Sequence, residues 1–377
     1  MRELAALAAF SFAPLAGQTT WVVDALGGGS FTTIQAAVQA ATDGDVVLVL
    51  PTATYNWTLS LTKSLAILGN GPSRTLATGT LSITGLRPDQ KVVVCNFAVD
   101  NQALPAPCVT VNSPANVILS NVLLSVSTGS GTMPALSLTD CAHVAIHGSS
   151  MTGRPAIETT RSALTATAST LSGVSANFWA NYYASGALSA TASSVTLTDC
   201  SAYGGSGDVN YYLAAASAMQ LSVSTALIMA GGQARSGGSL SSPMPIVVNS
   251  PSTVSIDSAV QLWPQGIAGG VASVVERGRV AGSLTGPGGS GSLQFAGPPG
   301  SAGALAVSFP GPELHDQYGV RWLDVPTISV LAVGALPLQG GVPVPAGVLR
   351  GTAITAQGIL LHQGTLAWSP PLLDVVR

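Results

Sequence analysis

Of the 377 residues only 8% are charged, far below the roughly 25% of an ordinary soluble domain, and the formal net charge is −3. No Lys/Arg run occurs anywhere, so the chain lacks the electrostatic footprint of a nucleic-acid binder. No stretch reaches the ~18 uninterrupted apolar residues that a membrane span requires, and the length suits two domains, or one elongated repeat domain with an appendage.

At the N-terminus, Met1-Arg2-Glu3 followed by the apolar run Leu4 to Ala16 reads as a short secretory signal, residues 1–17, with cleavage before Gln18. This predicts a secreted or cell-surface protein. Next, Ile34, Ala37, Val38 and Ala41 fall at helical spacing, and Asp43-Gly44-Asp45 ends the helix before an apolar strand from Val46 to Leu50. Asn56-Trp57-Thr58 is a glycosylation sequon that matters only on a eukaryotic secretory route.

A five-residue pattern then recurs: apolar, any, apolar, any, small or polar. Copies start at Val92, Val117, Val144, Leu164, Val195, Leu221 and Val254, with spacings from 20 residues (Val144 to Leu164) to 33 (Leu221 to Val254). Positions one and three are apolar throughout, so each copy reads as a strand with one buried face. A second apolar strand precedes most copies, as Val109-Thr110-Val111 precedes Val117. Variable spacing with at least two strands per turn predicts a parallel β-helix rather than propeller blades or leucine-rich repeats. The helix at Ile34 then caps the open end of the stack. Low charge follows too, since equivalent positions in successive coils lie about 4.8 Å apart and rows of like charge would repel.

The stretch Gly29-Ser30-Phe31-Thr32-Thr33-Ile34-Gln35-Ala36-Ala37-Val38, then Val46 to Pro51 and Lys63 to Gly69, resembles the opening turns of pectin-lyase-like right-handed parallel β-helix proteins, pectin methylesterases included. That likeness covers about a fifth of the chain. It implies the β-helix fold, shared by polysaccharide-active enzymes and non-enzymes. Gly153-Arg154-Pro155 resembles part of the pectin methylesterase arginine motif, without its following aromatic; the acidic motif of those enzymes has no match. The Asn-Thr-Asp and Gly-His-Gly motifs of polygalacturonases and the Arg-Lys patterns of pectate lyases are also absent.

After Gln265 the repeat fades into Gly/Pro clusters alternating with short apolar runs at 293–295, 304–309, 328–333, 352–361 and 372–376. These predict a small antiparallel β-sandwich, loosely similar to C-terminal modules of exported bacterial proteins, which implies display or attachment. The expected organisation is therefore a signal segment 1–17, a parallel β-helix 18–265 and a β-sandwich 266–377. Gly286, Gly288 and Gly291 satisfy GxGxxG, but Pro287 and the lack of a following helix make this a connector.

For chemistry, the fourth positions of the copies, read as exposed, are Cys95, Ser120, His147, Thr167, Thr198, Ser224 and Asp257. They supply none of the paired carboxyls that glycoside hydrolysis needs. Fifth positions include Asn96 and Asn121, which predict an amide ladder at a corner, and Asp199 in the same slot reads as a corner residue. The richest titratable cluster is His147, Arg154, Glu158 and Arg161, the weak catalytic candidates for a lyase or esterase. Cys95, Cys108, Cys141 and Cys200 lack paired CxxC spacing, so buried thiols or one bridge both fit; no metal or cofactor is expected.

Aromatic residues carry the strongest hint. Phe178, Trp179, Tyr182, Tyr183, Tyr203, Tyr211 and Tyr212 cluster in two consecutive inter-strand loops of a chain with 5% aromatics. Loops after equivalent strands of neighbouring coils lie side by side, so these rings predict one platform for sugar faces. The expectation is a non-catalytic exported β-helix that binds a polysaccharide or cell-surface glycan or acts as a scaffold, with a lyase or esterase as the alternative. A minor third reading is an ice-binding hydroxyl face formed by Thr165, Thr167, Thr196, Thr198, Ser222 and Ser224.

Overall fold

The computed structural model describes residues 18–70, 75–101, 105–126, 133–177, 183–208, 213–238, 243–275, 277–316, 319–323, 325–344, 352–369 and 371–376. The signal-like segment 1–17 lies outside them. Two compact units emerge, Thr19–Glu276 and one built on Arg277–Arg377. No described helix is long and apolar enough to cross a membrane.

The first unit is a right-handed parallel β-helix. Among the described residues its strands form parallel sheets of eleven, nine and nine strands. One coil illustrates the rest: His143–His147 in the first sheet, Ser150–Gly153 in the second and Ile157–Thr160 in the third, before Ala163–Thr167 begins the next coil. Inward residues alternate with outward ones, so Val117, Val144, Leu164 and Val195 stack in register as one core row, with Leu119, Ile146, Ala166 and Leu197 as the next. The stack runs past Gln265, through Ile267–Ala268 and Val271–Val274.

Six of the seven copies lie in the first sheet. The copy at Leu221 does not: Met219–Ser222 belongs to the third sheet, and Leu227 and Met229 of Ala226–Ala230 fill the core rows instead. Leu221-Ser222-Val223 mimics the period-2 pattern, but Val223 (φ 53°) and Ser224 (φ 56°) are consecutive left-handed residues that turn the chain.

Corners explain the composition. Asn96, Asn121, Gly148, Ala168, Asp199 and Gly231 follow first-sheet strands with φ between 47° and 64°, a region that Asn, Asp and Gly tolerate best. Asn121 Nδ2 donates to Asn96 Oδ1 at 2.7 Å, forming the expected ladder, and Asn96 Nδ2 donates to the Gly69 carbonyl at 3.3 Å. At the corner leading back to the first sheet, the hydroxyls of Ser162, Ser193, Thr225 and Ser252 accept the N–H groups of Cys141, Ser162, Ser193 and Thr225 at 3.0 to 3.4 Å. All four hydroxyl residues are buried. Small hydroxyls satisfy buried corner amides without bringing a charge inside.

The capping helix is Ile34–Ala40, with Thr33 as N-cap and Ile34, Ala37 and Val38 buried. Lys63 Nζ donates to the carbonyls of Val38, Gln39 and Ala41 at its C-terminal end. Asp45, 2% exposed, ties this end together: its carboxylate accepts from Thr19 N and Thr42 N, each at 2.8 Å, and from Trp21 Nε1 at 3.1 Å. Burial alone would raise the Asp45 carboxyl, but these N–H groups outweigh it and hold it below the usual carboxylate range. Its contribution is therefore present above pH ~4 and lost as pH falls through the lowered value. Asp45→Asn should cost about 1–3 kcal/mol at pH 7. Thermal unfolding at pH 7 and again near pH 3 checks this, the gap to the parent closing at the acid end.

Among the described residues the second unit holds three antiparallel sheets, the smallest being Pro310–Asp316 with Gly319–Leu323, and the two larger ones share a core. One orders Arg279–Ser283, Ser290–Ala296 and Leu338–Pro343; the other orders Ser329–Ala335, Ala302–Ser308, Ala353–His362 and Thr365–Trp368, with Leu372–Val375 also on Ala353–His362. Phe295, fully buried, projects from the first sheet onto the backbones of Gly303 and Gly358 in the second, where any side chain would strike its ring. The GxGxxG stretch joins two strands of this sandwich, with no helix after it.

Candidate functional site

All four catalytic candidates lie on one coil, but the coil carries them to different sides. His147 ends the first-sheet strand, is 5% exposed, and has Nδ1 2.9 Å from Thr167 Oγ1 in the next coil. Arg154 is buried at the tight corner 154–156, its N–H donating to the Met133 carbonyl. Glu158 is exposed on the third sheet, in register with Ser137 and Ser189. Arg161 sits at the following corner, paired with Asp140 of the preceding coil at 2.6 and 2.8 Å. The Arg161 guanidinium holds the Asp140 carboxyl below its usual range. Proximity in sequence is not convergence here, because each corner turns the chain onto another sheet.

The fourth positions read as exposed are instead buried in Cys95, Ser120, His147, Thr167 and Thr198. The hydroxyl array fails for the same reason and for a second one. Thr165 is buried as well, and the next coil opposes Thr196 and Thr198 with Ile228 and Ala230. Ser222 pairs with Thr191 in the third sheet, and Ser224 lies in a corner. The four cysteines are buried thiols, and burial pushes those of Cys108 and Cys200 up to about 12. Such thiols are poor nucleophiles.

The aromatic loops are organised. Between the second and third sheets three successive coils extend flaps, residues 174–187, 204–218 and 236–245. Ala176 N donates to Ser206 O at 2.8 Å and Ser206 N to Ser175 Oγ at 3.1 Å, joining the first flap to the second. Gly207 N donates to Gly238 O at 3.0 Å, joining the second to the third. Asp208 and Leu213 exchange backbone hydrogen bonds at 2.9 and 3.0 Å, which pairs the two arms of the second flap antiparallel. Glycine permits this closeness: a Cβ on Gly205 would strike the backbone of Val174, and one on Gly237 the backbone of Gly205.

Tyr183 is 74% exposed beside the tip of the first flap. Tyr203, expected in the second loop, instead ends the second-sheet strand Ser201–Tyr203 at the base of that flap, because it still pairs in register with Ser172 and Arg235; its hydroxyl accepts from Gln233 Nε2 at 2.8 Å. Phe178, Trp179, Tyr182, Tyr211 and Tyr212 fall within 178–182 and 209–212, outside the described residues.

No protein-family model matches the chain, and no curated protein matches it. Among solved structures it is similar to the enzymatically active domain of tailspike protein 2 of bacteriophage CBA120. That likeness has 12% identity and a TM-score of 0.31, and covers 96% of this chain and 71% of the other.

Proposed function

We propose that this chain is an exported β-helix that binds a polysaccharide or cell-surface glycan through the aromatic flaps and does not cut it. One observation carries the reading. The backbone bonds between the flaps bring side by side two loops that hold, with Tyr203 at the base, five of the chain's seven tyrosines together with Phe178 and Trp179. Rings on adjacent loops suit the faces of consecutive sugars, and a rigid solenoid beneath them lowers the entropy cost of holding them in place. The dispersal of His147, Arg154, Glu158 and Arg161 around the coil supports binding over the lyase or esterase alternative.

A glycan array probed with the full chain, and with a variant carrying Trp179→Ala and Tyr211→Ala, tests the proposal. The parent should bind a restricted set of glycans, and the variant should lose about tenfold or more in affinity for the same set. Equal binding by both proteins would place the ligand elsewhere.

A further inference from the structure

A second feature lies at the base of the flaps, on the outward face of the second sheet. In the strands Ser201–Tyr203, Gln233–Arg235 and Gln261–Trp263, the middle residues Ala202, Ala234 and Leu262 turn inward. The flanking residues therefore point outward. Register aligns Tyr203 with Arg235 and Arg235 with Trp263 in one row, and Ser201, Gln233 and Gln261 in a parallel row. Arg235 is exposed and Trp263 is 59% exposed. Gln233 Nε2 donates to both Tyr203 Oη, at 2.8 Å, and Ser201 Oγ, at 3.2 Å, which fixes the first ring.

The row is continuous with the flaps, because Gly204 N donates to Arg235 O and Ser236 N to Trp263 O, each at 2.8 Å. Beside Trp263 opens a groove of about 380 Å³ lined by Val260, Gln261, Leu262, Trp263, Gln265 and Gly266.

We infer that this strip binds an acidic polysaccharide, with a sugar carboxylate on Arg235 and neighbouring rings against Tyr203 and Trp263. The inference rests on the glycan-binding reading and names the class of glycan. Charge argues for it: along the same row the four preceding strands contribute Tyr203, Ser172, Thr152 and Ser125, none of them charged, and an acid, Asp100, enters only at the fifth. Among the described residues no acid pairs with Arg235. An exposed arginine between two rings, in a chain with so few charges, is available for a bidentate carboxylate contact. Spacing argues for it too, since rows repeat every ~4.8 Å across a sheet, close to the advance of one sugar ring along an extended chain. The side-chain amides of Gln233 and Gln261 supply hydrogen bonds for hydroxyls beside that line.

Affinity electrophoresis of the full chain through gels containing hyaluronan or polysialic acid, each beside its carboxyl-reduced counterpart, tests the strip. The parent should be retarded by at least one acidic polymer more strongly than by the neutral form, and less so as salt rises. Arg235→Gln should weaken that retention about tenfold without altering the neutral-polymer result, Arg235→Lys should restore part of it, and Trp263→Ala should weaken both. Equal retention by acidic and reduced polymers, or by the parent and Arg235→Gln, overturns the inference. So does a parent that neither acidic polymer retards; if flap-dependent binding of neutral glycans persists in that case, the flap reading stands and the strip alone is refuted.

Discussion

Replacing Gly205 with valine should weaken flap-dependent glycan retention about a hundredfold while leaving the solenoid folded. The atoms that a side chain at 205 would meet are the Val174 carbonyl and the Ser175 amide, both backbone, so no flexible side chain can give way. The first and second flaps must separate. That breaks the bonds Ala176 N to Ser206 O and Gly205 N to Ser185 O, the latter at 2.9 Å. On the proposed reading the rings of the two loops then no longer act together, and affinity falls by two orders of magnitude or so if each flap supplies one ring–sugar contact of about 1–1.5 kcal/mol. None of this touches the coil interior, where Leu171, Leu188, Ala202 and Met219 pack at zero exposure. A circular-dichroism melt should show a Tm within a few degrees of the parent, alongside weakened retention in affinity electrophoresis. Full retention by Gly205→Val would mean that the flaps need not touch to bind.

The largest stability effect should come from Leu197→Ala. Leu197 is fully buried in the first sheet, in register between Ala166 of the preceding coil and Met229 of the following one. Because Ala166 is already small, little side-chain volume on that side can move in to fill the space. The cost should reach about 2–5 kcal/mol. In a solenoid the defect also weakens two coil interfaces at once, since each coil contacts only its neighbours. Urea titration monitored by far-UV circular dichroism should show an earlier transition for Leu197→Ala and almost none of that shift for Thr196→Ala, whose side chain faces outward. Equal shifts would contradict the assignment of inward and outward faces.

Legibility in the sequence followed strand length. First-sheet strands such as Asn116–Ser120 present two inward apolar residues, enough for the period-2 pattern to show. Third-sheet strands such as Val109–Asn112 show the same pattern. Second-sheet strands such as Ser201–Tyr203 and Gln233–Arg235 hold one inward residue each, Ala202 and Ala234, so no pattern marks them. That is why the third strand of the later coils was illegible, and with it the row that joins Tyr203, Arg235 and Trp263, whereas the earlier second-sheet strand Phe97–Asp100 does alternate, with Phe97 and Val99 inward. The pair Asp140–Arg161 escaped for a related reason: its members are 21 residues apart in sequence and meet only because both follow third-sheet strands at the same corner. Leu221 misled in the other direction, since a third-sheet strand running into a corner carries the same alternation as a first-sheet one. The amide ladder was readable because Asn recurs at a fixed slot. The flaps were readable because their aromatics are rare elsewhere, although nothing in the sequence disclosed the glycine contacts that hold them together.

On the proposed reading the flaps bind a glycan and leave it uncut. The most direct test is to incubate the full chain with a glycan that it retains and then to measure the chain length of that glycan by size-exclusion chromatography with ultraviolet detection. An unchanged elution profile and no ultraviolet-absorbing unsaturated ends are expected. Shortened chains or unsaturated fragments, absent with heat-denatured protein, would contradict binding without cleavage.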